Sequence, residues 1–169
     1  MATQSNIQLD TIRVENYKDV QTIYQQGIDT RNATFETSVP DWQKWNDSHL
    51  STCRLTAYIN HQMVGWAALS KVSDRCVYQG VAEVSIYIHQ DYRGKGIADI
   101  LMHHLIIESE NSGIWSLMAA IFPENISSKN LHLKHGFREI GIREKIAKLD
   151  GIWRDTLLMQ RRSKLIGID

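Results

Sequence analysis

The amino-acid sequence predicts a single α/β domain in which a mixed sheet carries helices on both faces. The spacing of the apolar residues predicts the element order β-α-α-β-β-β-α-β-α-β-β. Antiparallel strands come first in this order and a strand-helix-strand crossover lies in the second half, which together favour a mixed, mainly antiparallel sheet. A length of 169 residues with 43% apolar residues suits one globular domain, placed at 1–169 with its core at about 10–162.

The first half of the chain is predicted to contain a strand, two helices and a hairpin. The β-branched segment 12–14 is the first predicted strand. Apolar residues at helical spacing predict a helix over 17–29, and Pro40 suits the first position of a second helix that ends near residue 50. The segments 55–59 and 63–69 flank a short turn and are predicted to form a hairpin.

The second half is predicted to alternate strands and helices before it ends in another hairpin. The β-branched run 81–88 is typical of a strand, and the apolar stripe of 97–112 predicts a helix that stops before Gly113. Four elements follow, a strand, a short helix and two strands joined by the turn Asp150-Gly151, at 116–122, 127–134, 137–142 and 152–160.

Charge and composition argue against several classes of protein. Lys and Arg together number 19, as do Asp and Glu, so no net charge favours nucleic acid or an anionic membrane. No apolar run approaches the roughly 20 residues that span a bilayer, and segment 1–10 lacks the apolar stretch of a signal peptide. Cys53 and Cys76 fit neither a metal-ligand spacing nor a disulfide framework, and we expect both as buried thiols. These observations predict a cytoplasmic protein without a nucleic-acid or membrane partner.

The segment Arg93-Gly94-Lys95-Gly96-Ile97-Ala98, called here the 93–98 loop, joins a predicted strand to a predicted helix. Such a turn directs unpaired backbone N–H groups and the positive end of the helix dipole at one point, which suits a phosphate. Arg93 and Lys95 add positive charge, whereas Asp91 and Asp99 offset it. The glycines alone are equally compatible with an ordinary strand-helix connection. The loop matches neither G-x-x-x-x-G-K-[ST] nor G-x-G-x-x-G, the patterns of two common nucleotide sites.

Within this loop, Arg-x-x-Gly-x-Ala resembles the [Q/R]-x-x-G-x-[G/A] signature of the GNAT superfamily of acyltransferases. The preceding run 82–88 and the later runs 122–128 and 131–137 resemble its phosphinothricin and methionine sulfoximine N-acetyltransferase branch. The resemblance extends from residue 12 to about residue 161. It implies the GNAT fold, acetyl-CoA as co-substrate without a metal, and a homodimer. The implied reaction is acetyl transfer to the amine of a small amino-acid-like substrate, such as phosphinothricin, methionine sulfoximine or methionine sulfone.

Glu83 is the first candidate for the chemistry. Strand alternation places Glu83, Ser85 and Tyr87 on one face of the run 81–88 and apolar residues on the other. The residues alone leave open whether Glu83 simply faces solvent. The resemblance implies that Glu83 is the general base, acting directly or through water, which removes a proton from the attacking amine.

His132 is the second candidate, four residues before Gly136. Many members of the superfamily carry a tyrosine there that protonates the leaving thiolate, whereas the resembled branch carries histidine. A histidine can act as acid or base near neutral pH, and a purely structural role remains open. His135 lies three residues further along the same predicted helix, but no third ligand completes a metal site.

The resemblance also implies binding residues for both substrates. Acetyl-CoA contacts are implied for the following set: Ile86, Tyr87, Ile88, Arg93, Gly94, Lys95, Gly96, Ile97, Ala98, Asp99, Asn125 and Ser128. Acceptor contacts are implied for Phe35, Arg75, Tyr78 and Trp153. Among these, Arg75 is the expected partner of a substrate carboxylate, because a guanidinium binds carboxylates through two parallel hydrogen bonds.

Three other functions compete with this prediction. A non-catalytic acyl-CoA sensor would keep the 93–98 loop but would not need Glu83 and His132, whose joint presence favours an enzyme. An acetyltransferase for protein N-termini or polyamines would share the chemistry, although polyamines require an acidic cleft. A phosphate binder unrelated to CoA would require a different loop sequence.

Overall fold

The computed structural model describes residues 6–169. The strands are β1 Gln8–Thr11, β2 Arg54–Ile59, β3 Gln62–Lys71, β4 Val81–Ile88, β5 Ser116–Ile121, β6 Arg138–Leu149 and β7 Ile152–Arg162. The helices are α1 Tyr17–Asp29, α2 Trp42–Ser48, α3 Ile97–Asn111 and α4 Ile126–Lys134. Short 3-10 turns lie at Val14–Asn16, Cys76–Tyr78 and Gln90–Tyr92. The predicted order of strands and helices is confirmed.

The strands form one seven-stranded sheet in the order β1-β2-β3-β4-β5-β7-β6. Neighbouring strands are antiparallel except β4 and β5, which are parallel and are connected through α3. The parallel pairing extends only from Val81 opposite Ser116 to Glu83 opposite Met118. Beyond Glu83 the two strands separate, while β4 stays paired with β3 as far as Ile88. The mixed-sheet prediction is confirmed, and the separation of β4 from β5 opens a cleft in the sheet.

Two apolar cores cover opposite faces of the sheet. On one face, Leu101 and Leu105 of α3 are fully buried against Ala82 and neighbouring strands. On the other face, Trp45 of α2 and Trp66 of β3 are fully buried in an aromatic cluster that also contains residues of α1. Burial of one such side chain contributes roughly 1.5–3 kcal/mol to stability. The prediction of helices on both faces is therefore confirmed.

The first strand differs from the prediction. It lies at Gln8–Thr11 and not at 12–14, because the side chain of Asn16 turns the chain away from the sheet directly after Ile12. The Asn16 side chain accepts a hydrogen bond from the Arg13 N–H (2.8 Å) and donates one to the Thr11 carbonyl (2.9 Å). Part of the polar segment 1–10 precedes this strand, and its first five residues lie outside the described residues.

Other boundaries shift for local reasons. Helix α2 begins at Trp42 because Asp41, which follows Pro40, caps it by accepting the Lys44 N–H (2.9 Å). Strand β6 continues to Leu149, well past the predicted end at residue 142, because a register irregularity between 143 and 147 breaks the alternation. The hairpin turn before β7 is confirmed, since Asp150 and Gly151 both have positive φ.

The two cysteines occupy different environments. Cys53 is buried, as expected, whereas Cys76 is exposed in the 3-10 turn before β4, so its predicted burial is wrong. Among residues 6–169 no helix is long and apolar enough to cross a membrane. The same residues contain no group of three or more His, Cys, Asp or Glu side chains that could hold a metal ion.

Candidate active site

A cavity of about 930 Å³ occupies the cleft between β4 and β5. We call one set of its walls the cofactor half: residues 86–88 of β4, the 93–98 loop with the start of α3, and the start of α4. The other set is the acceptor half, whose charged and polar side chains include Glu36, Lys44, Ser70, Glu83, Arg143 and Thr156. Segments far apart in the chain therefore meet in one concave site, as expected of an enzyme cleft.

The 93–98 loop has a backbone geometry that suits the anion site predicted from its sequence. Gly94 and Gly96 have φ values of +71° and +80°, a left-handed conformation that glycine adopts without strain. A Cβ atom built on either glycine would have no atom within 4 Å, so both face open space. Gly96 precedes α3 and supplies no side-chain cap, which leaves the first N–H groups of the helix available to a bound anion.

Charged side chains around the loop are largely held by neighbours. Lys95 donates to the Asp91 carbonyl (2.9 Å) and does not line the cavity, whereas Arg93 does. Asp99 contacts Lys134 (2.7 Å) and His135 (3.0 Å) of the α4 region, and these contacts lower the Asp99 pKa, Lys134 having the larger effect. Because Asp99 is neutralised in this way, it weakens the anion site less than its sequence position suggests.

Residues 86–88 present mainly backbone to the cofactor half. The Tyr87 ring stacks on Trp66 (4.9 Å between centroids) and contacts Tyr24 (4.8 Å), so its side chain belongs to the aromatic core. Ile86 and Ile88 pack against the other core. Since β5 no longer pairs with β4 here, the β4 edge is open to an added partner, the arrangement in which a ligand continues a sheet.

Asn125 connects α4 to the segment that enters the acceptor half. Its Oδ1 accepts the Ser128 N–H (3.2 Å) and caps α4, while its Nδ2 donates to the Asn32 carbonyl (3.0 Å). Asn125 and Ser128 both line the cavity. The Asn125 amide is thus committed to protein partners on both sides, and it holds the 30–40 segment against the start of α4.

Glu83 lies at the point where β4 and β5 part, on the sheet face that also carries Ser70 and Met118. No other described residue forms a hydrogen bond or ion pair with its carboxylate. The surrounding protein removes water and raises the Glu83 pKa, while the positive charge of Arg143 partly opposes this shift. The site thus holds an unpaired carboxylate whose raised pKa makes it a stronger base than a glutamate with the ordinary pKa.

His132 is 3% exposed and packs edge-on against Phe137. Its Nδ1 donates to the Ser128 carbonyl (2.7 Å), which places the ring proton on Nδ1. Nε2 is buried without a hydrogen-bond partner among the described residues. Burial lowers the His132 pKa, so the ring is neutral at pH 7.

The predicted acceptor residues are not all brought together. Phe35 lines the cavity and contacts Phe122 edge-on (4.9 Å between centroids). Arg75, Tyr78 and Trp153 do not line it. The Arg75 guanidinium lies over the Tyr78 ring (5.6 Å) in the exposed segment before β4, and Trp153 lies in β7 before the part that pairs with β5. Contacts of these three residues with an acceptor remain predictions.

Sequence reasoning missed several residues of the acceptor half, above all Lys44, Arg143 and Thr156. No spacing rule connects them with Glu83, because they come from α2, β6 and β7. Arg143 is opposite Thr156 only after the irregular register of β6 is known. The pairing of Arg143 with Thr156 could be predicted from the sequence only if the bulge in β6 were identified first.

Strands β4 and β5 separate at Glu83, and the glycine-containing 93–98 loop precedes α3 beside this cleft. Both features agree with the GNAT acyltransferases that the sequence resembles. The family described as Acetyltransferase (GNAT) family matches residues 17–137, and the chain belongs to this family.

Individual relatives agree with this assignment. The protein YwnH of Bacillus subtilis (strain 168) is 34% identical over 161 residues, which cover 89% of this chain and 98% of YwnH. The phosphinothricin N-acetyltransferase of Alcaligenes faecalis is 30% identical over 159 residues, 89% of this chain and 79% of that protein. A crystal structure of a GNAT superfamily phosphinothricin acetyltransferase from Sinorhizobium meliloti in complex with AcCoA superposes with a TM-score of 0.83. It is 25% identical and covers 92% of this chain and 88% of that one. The resemblance to the phosphinothricin branch is confirmed.

Proposed function

We propose that the protein transfers the acetyl group of acetyl-CoA to the amine of a small amino-acid-like acceptor, with Glu83 as the general base. The acceptors proposed are phosphinothricin, methionine sulfoximine, methionine sulfone or a similar modified amino acid. The observation that carries the proposal is that an unpaired carboxylate and an open helix N-terminus lie in the same cavity. Similarity to phosphinothricin acetyltransferases supports the choice of acceptor.

The cofactor half fits acetyl-CoA. The space beside Gly94 and Gly96, which a Cβ atom would enter, suits the diphosphate, and the uncapped N–H groups at the start of α3, Ile97 to Asp99, are proposed to bind it. The open backbone of Ile86, Tyr87 and Ile88 suits the amides of the pantetheine arm. Ser128 is proposed as a further contact, whereas the Asn125 side chain acts mainly through Asn32. Bound acetyl-CoA supplies a thioester carbonyl that an amine can attack.

Glu83 performs the first proton transfer. An α-ammonium group cannot attack a carbonyl until it loses a proton, and Glu83 accepts that proton directly or through water. The amine nitrogen then forms the C–N bond, the C–S bond breaks, and the second ammonium proton ends on the CoA thiol. The raised pKa makes Glu83 a better proton acceptor, and the positive charge of Arg143 favours its ionised form.

We propose that His132 stays uncharged during the reaction and does not donate a proton. A lowered pKa and a ring proton fixed on Nδ1 leave Nε2 as a hydrogen-bond acceptor, which cannot protonate a thiolate at pH 7. A buried acceptor without a partner is uncommon in folded proteins. His132 is therefore proposed to orient α4 at the cleft, through the hydrogen bond from Nδ1 to the Ser128 carbonyl.

The oligomeric state and location are proposed with the same function. Strand β6 and the start of β7 expose an apolar surface: Ile140, Ile142, Ile146, Ile152 and Trp153 are each 43–66% exposed. We propose that a second copy of the chain covers this surface and forms a homodimer. Light scattering after gel filtration should give twice the monomer mass, and Ile152→Asp should lower the measured mass toward that of the monomer.

We propose a cytoplasmic location because of the proposed donor, acetyl-CoA, and the exposed thiol of Cys76.

A thiol-release assay tests the proposed reaction. The protein is incubated with acetyl-CoA and with phosphinothricin, methionine sulfoximine, methionine sulfone, spermidine or a peptide with a free N-terminus. CoA release is expected with the amino-acid analogues and not with spermidine, whose positive charges are repelled by Arg143 and Lys44 in the acceptor half. Calorimetric binding of acetyl-CoA without release on any amine would instead identify a sensor.

A further inference from the structure

The acceptor half contains an arginine that sequence reasoning did not find. We infer that Arg143 binds the anionic group of the acceptor while the amine of that acceptor faces Glu83. This inference rests on the proposed function and specifies the acceptor class: primary amines that carry a carboxylate or a similar anion close to the amine. Within one copy of the protein, Arg143 then binds the substrate carboxylate, the role that the sequence analysis predicted for Arg75.

Sheet register places Arg143 and Glu83 on the same face. Glu83 is opposite Met118 of β5, and Met118 is opposite Gln160 of β7. Thr156 lies four residues before Gln160 on the same strand, so its side chain is on that face, and Arg143 of β6 is opposite Thr156. Glu83, Thr156 and Arg143 all line the cavity. The sheet therefore points both charged groups into one cleft.

The Arg143 side chain is held at one end and free at the other. Its Nε donates to the Thr156 hydroxyl (3.0 Å), and Thr156 is 4% exposed, so a buried group fixes the guanidinium. Within residues 6–169, no other hydrogen bond uses this guanidinium and no carboxylate lies within 4.0 Å of it. The N–H groups of Nη1 and Nη2 are thus available for the paired hydrogen bonds that guanidinium forms with carboxylates and phosphinates.

Charge in the cleft supports the same orientation of the acceptor. The positive charge of Arg143 acts on Glu83, since it lowers the pKa that loss of water raises. The other charged groups that line the acceptor half are Lys44 and Glu36. An amino acid bound with its ammonium group at Glu83 and its carboxylate at Arg143 pairs both charges. The Arg75 guanidinium offers no such geometry, because it lies over the exposed Tyr78 ring outside the cavity.

The test compares methionine sulfone with its carboxamide, which has the same amine but no carboxylate. Removal of a hydrogen bond to a charged group is expected to lower kcat/KM for the acid about 10- to 100-fold in Arg143→Gln. The carboxamide should lose less than about threefold, and the KM for acetyl-CoA should stay constant. Arg143→Lys should restore part of the preference for the acid, because charge returns without the paired geometry. Arg138→Gln, on the same strand but outside the cavity, is the matched control and should leave both acceptors unchanged.

Two results would overturn the inference. An equal loss on acid and carboxamide, together with an upward shift of the acid limb of the pH profile, would mean that Arg143 acts only on the ionisation of Glu83. An acid-specific loss in Arg75→Gln, with none in Arg143→Gln, would return the role to Arg75. If the unmodified protein released CoA with neither acceptor, the proposed function would fail. Calorimetric binding of methionine sulfone to the unmodified protein and to Arg143→Gln would then still decide the role of Arg143.

Discussion

The two halves of the cleft are built in different ways. The cofactor half consists mainly of backbone from short continuous segments, the 86–88 stretch and the 93–98 loop. The acceptor half consists of side chains from α2, β3, β4, β6 and β7, together with side chains of the 30–40 segment. A backbone site depends on glycines and helix ends that neighbouring residues determine. A side-chain site depends on which strands become neighbours. Substitutions of its side chains can therefore alter which acceptor binds without disturbing the cofactor half.

Charge is also distributed differently between the halves. Near the 93–98 loop, Asp99 is paired with Lys134, and Lys95 is held by the Asp91 carbonyl. In the acceptor half, Glu83 and Arg143 have no ion-pair partner within 4.0 Å among residues 6–169. Unpaired charges in a partly enclosed site are costly unless a ligand completes them. We therefore place the chemistry and the acceptor selectivity in the acceptor half.

The largest expected effect is that of Glu83→Gln. Loss of a general base typically lowers the rate by about 10²- to 10⁴-fold, so kcat should fall by that factor with an amino-acid acceptor. Acetyl-CoA affinity should not change, because Glu83 belongs to the acceptor half. Steady-state kinetics and calorimetry measure the two quantities.

Stability provides the internal check on this variant. The raised pKa means that the fold disfavours the ionised carboxylate, so a neutral amide should not lower Tm. Glu15→Gln, a surface substitution far from the cavity, should change neither rate nor Tm. A normal kcat in the Glu83→Gln protein would show that Glu83 is not the general base.

A smaller effect is expected in the cofactor half, from Gly96→Ala. The new Cβ enters the space proposed for the diphosphate, and the Kd for acetyl-CoA should rise at least about tenfold. Gly113→Ala is a matched control, since both glycines have φ +80° and neither has an atom within 4 Å of its Cβ position. Both variants should lose about 1–2 kcal/mol of unfolding free energy from the left-handed conformation. Equal acetyl-CoA affinity in the two variants would contradict the assigned position of the cofactor half.

Asn125 connects the two halves of the cleft through two hydrogen bonds. The substitution Asn125→Asp should remove one of these bonds and keep the other. The carboxylate keeps the cap on Ser128 but cannot donate to Asn32, so the 30–40 segment should loosen. We expect the acceptor KM to rise about fivefold and the acetyl-CoA KM to change less than about twofold. Asn32→Ala, which keeps the accepting carbonyl, is the control. A rise in the acetyl-CoA KM alone would support the direct cofactor contact that the sequence resemblance implied.

The smallest effect is expected from His132→Asn. Asparagine can keep the hydrogen bond from the Nδ1 position to the Ser128 carbonyl while it removes Nε2. Because a neutral His132 supplies no proton, kcat should fall less than about threefold, and no limb of the pH profile should disappear. Disappearance of a limb would show that His132 acts as an acid or base after all.

Local sequence patterns predicted the fold well. Helix α1 and strand β4 have the predicted ends, since their apolar periodicity is regular along their whole length. The first strand was misplaced because a side chain of a later residue, Asn16, ends it. The bulged part of β6 was missed because its residues interrupt the alternation on which the prediction depended.

The candidate site was predictable to the extent that it is local. Glu83 and the 93–98 loop could be placed from strand alternation and glycine spacing within one segment of chain. Arg143 could not, because its approach to Glu83 depends on three strand pairings and a bulge. The tautomer of His132 also depends on a backbone carbonyl that the sequence does not position.

The pH dependence of kcat/KM for an amino-acid acceptor, in the unmodified protein and in Glu83→Gln, tests the central claim most directly. Loss of water raises the Glu83 pKa above its ordinary value of 4.5, and only the ionised form can accept a proton. Activity of the unmodified protein should therefore fall as the pH drops through this raised pKa, at a higher pH than for a glutamate with the ordinary pKa. The Glu83→Gln protein should lack this acid limb. The same acid limb in both proteins would contradict the assignment of Glu83 as the base.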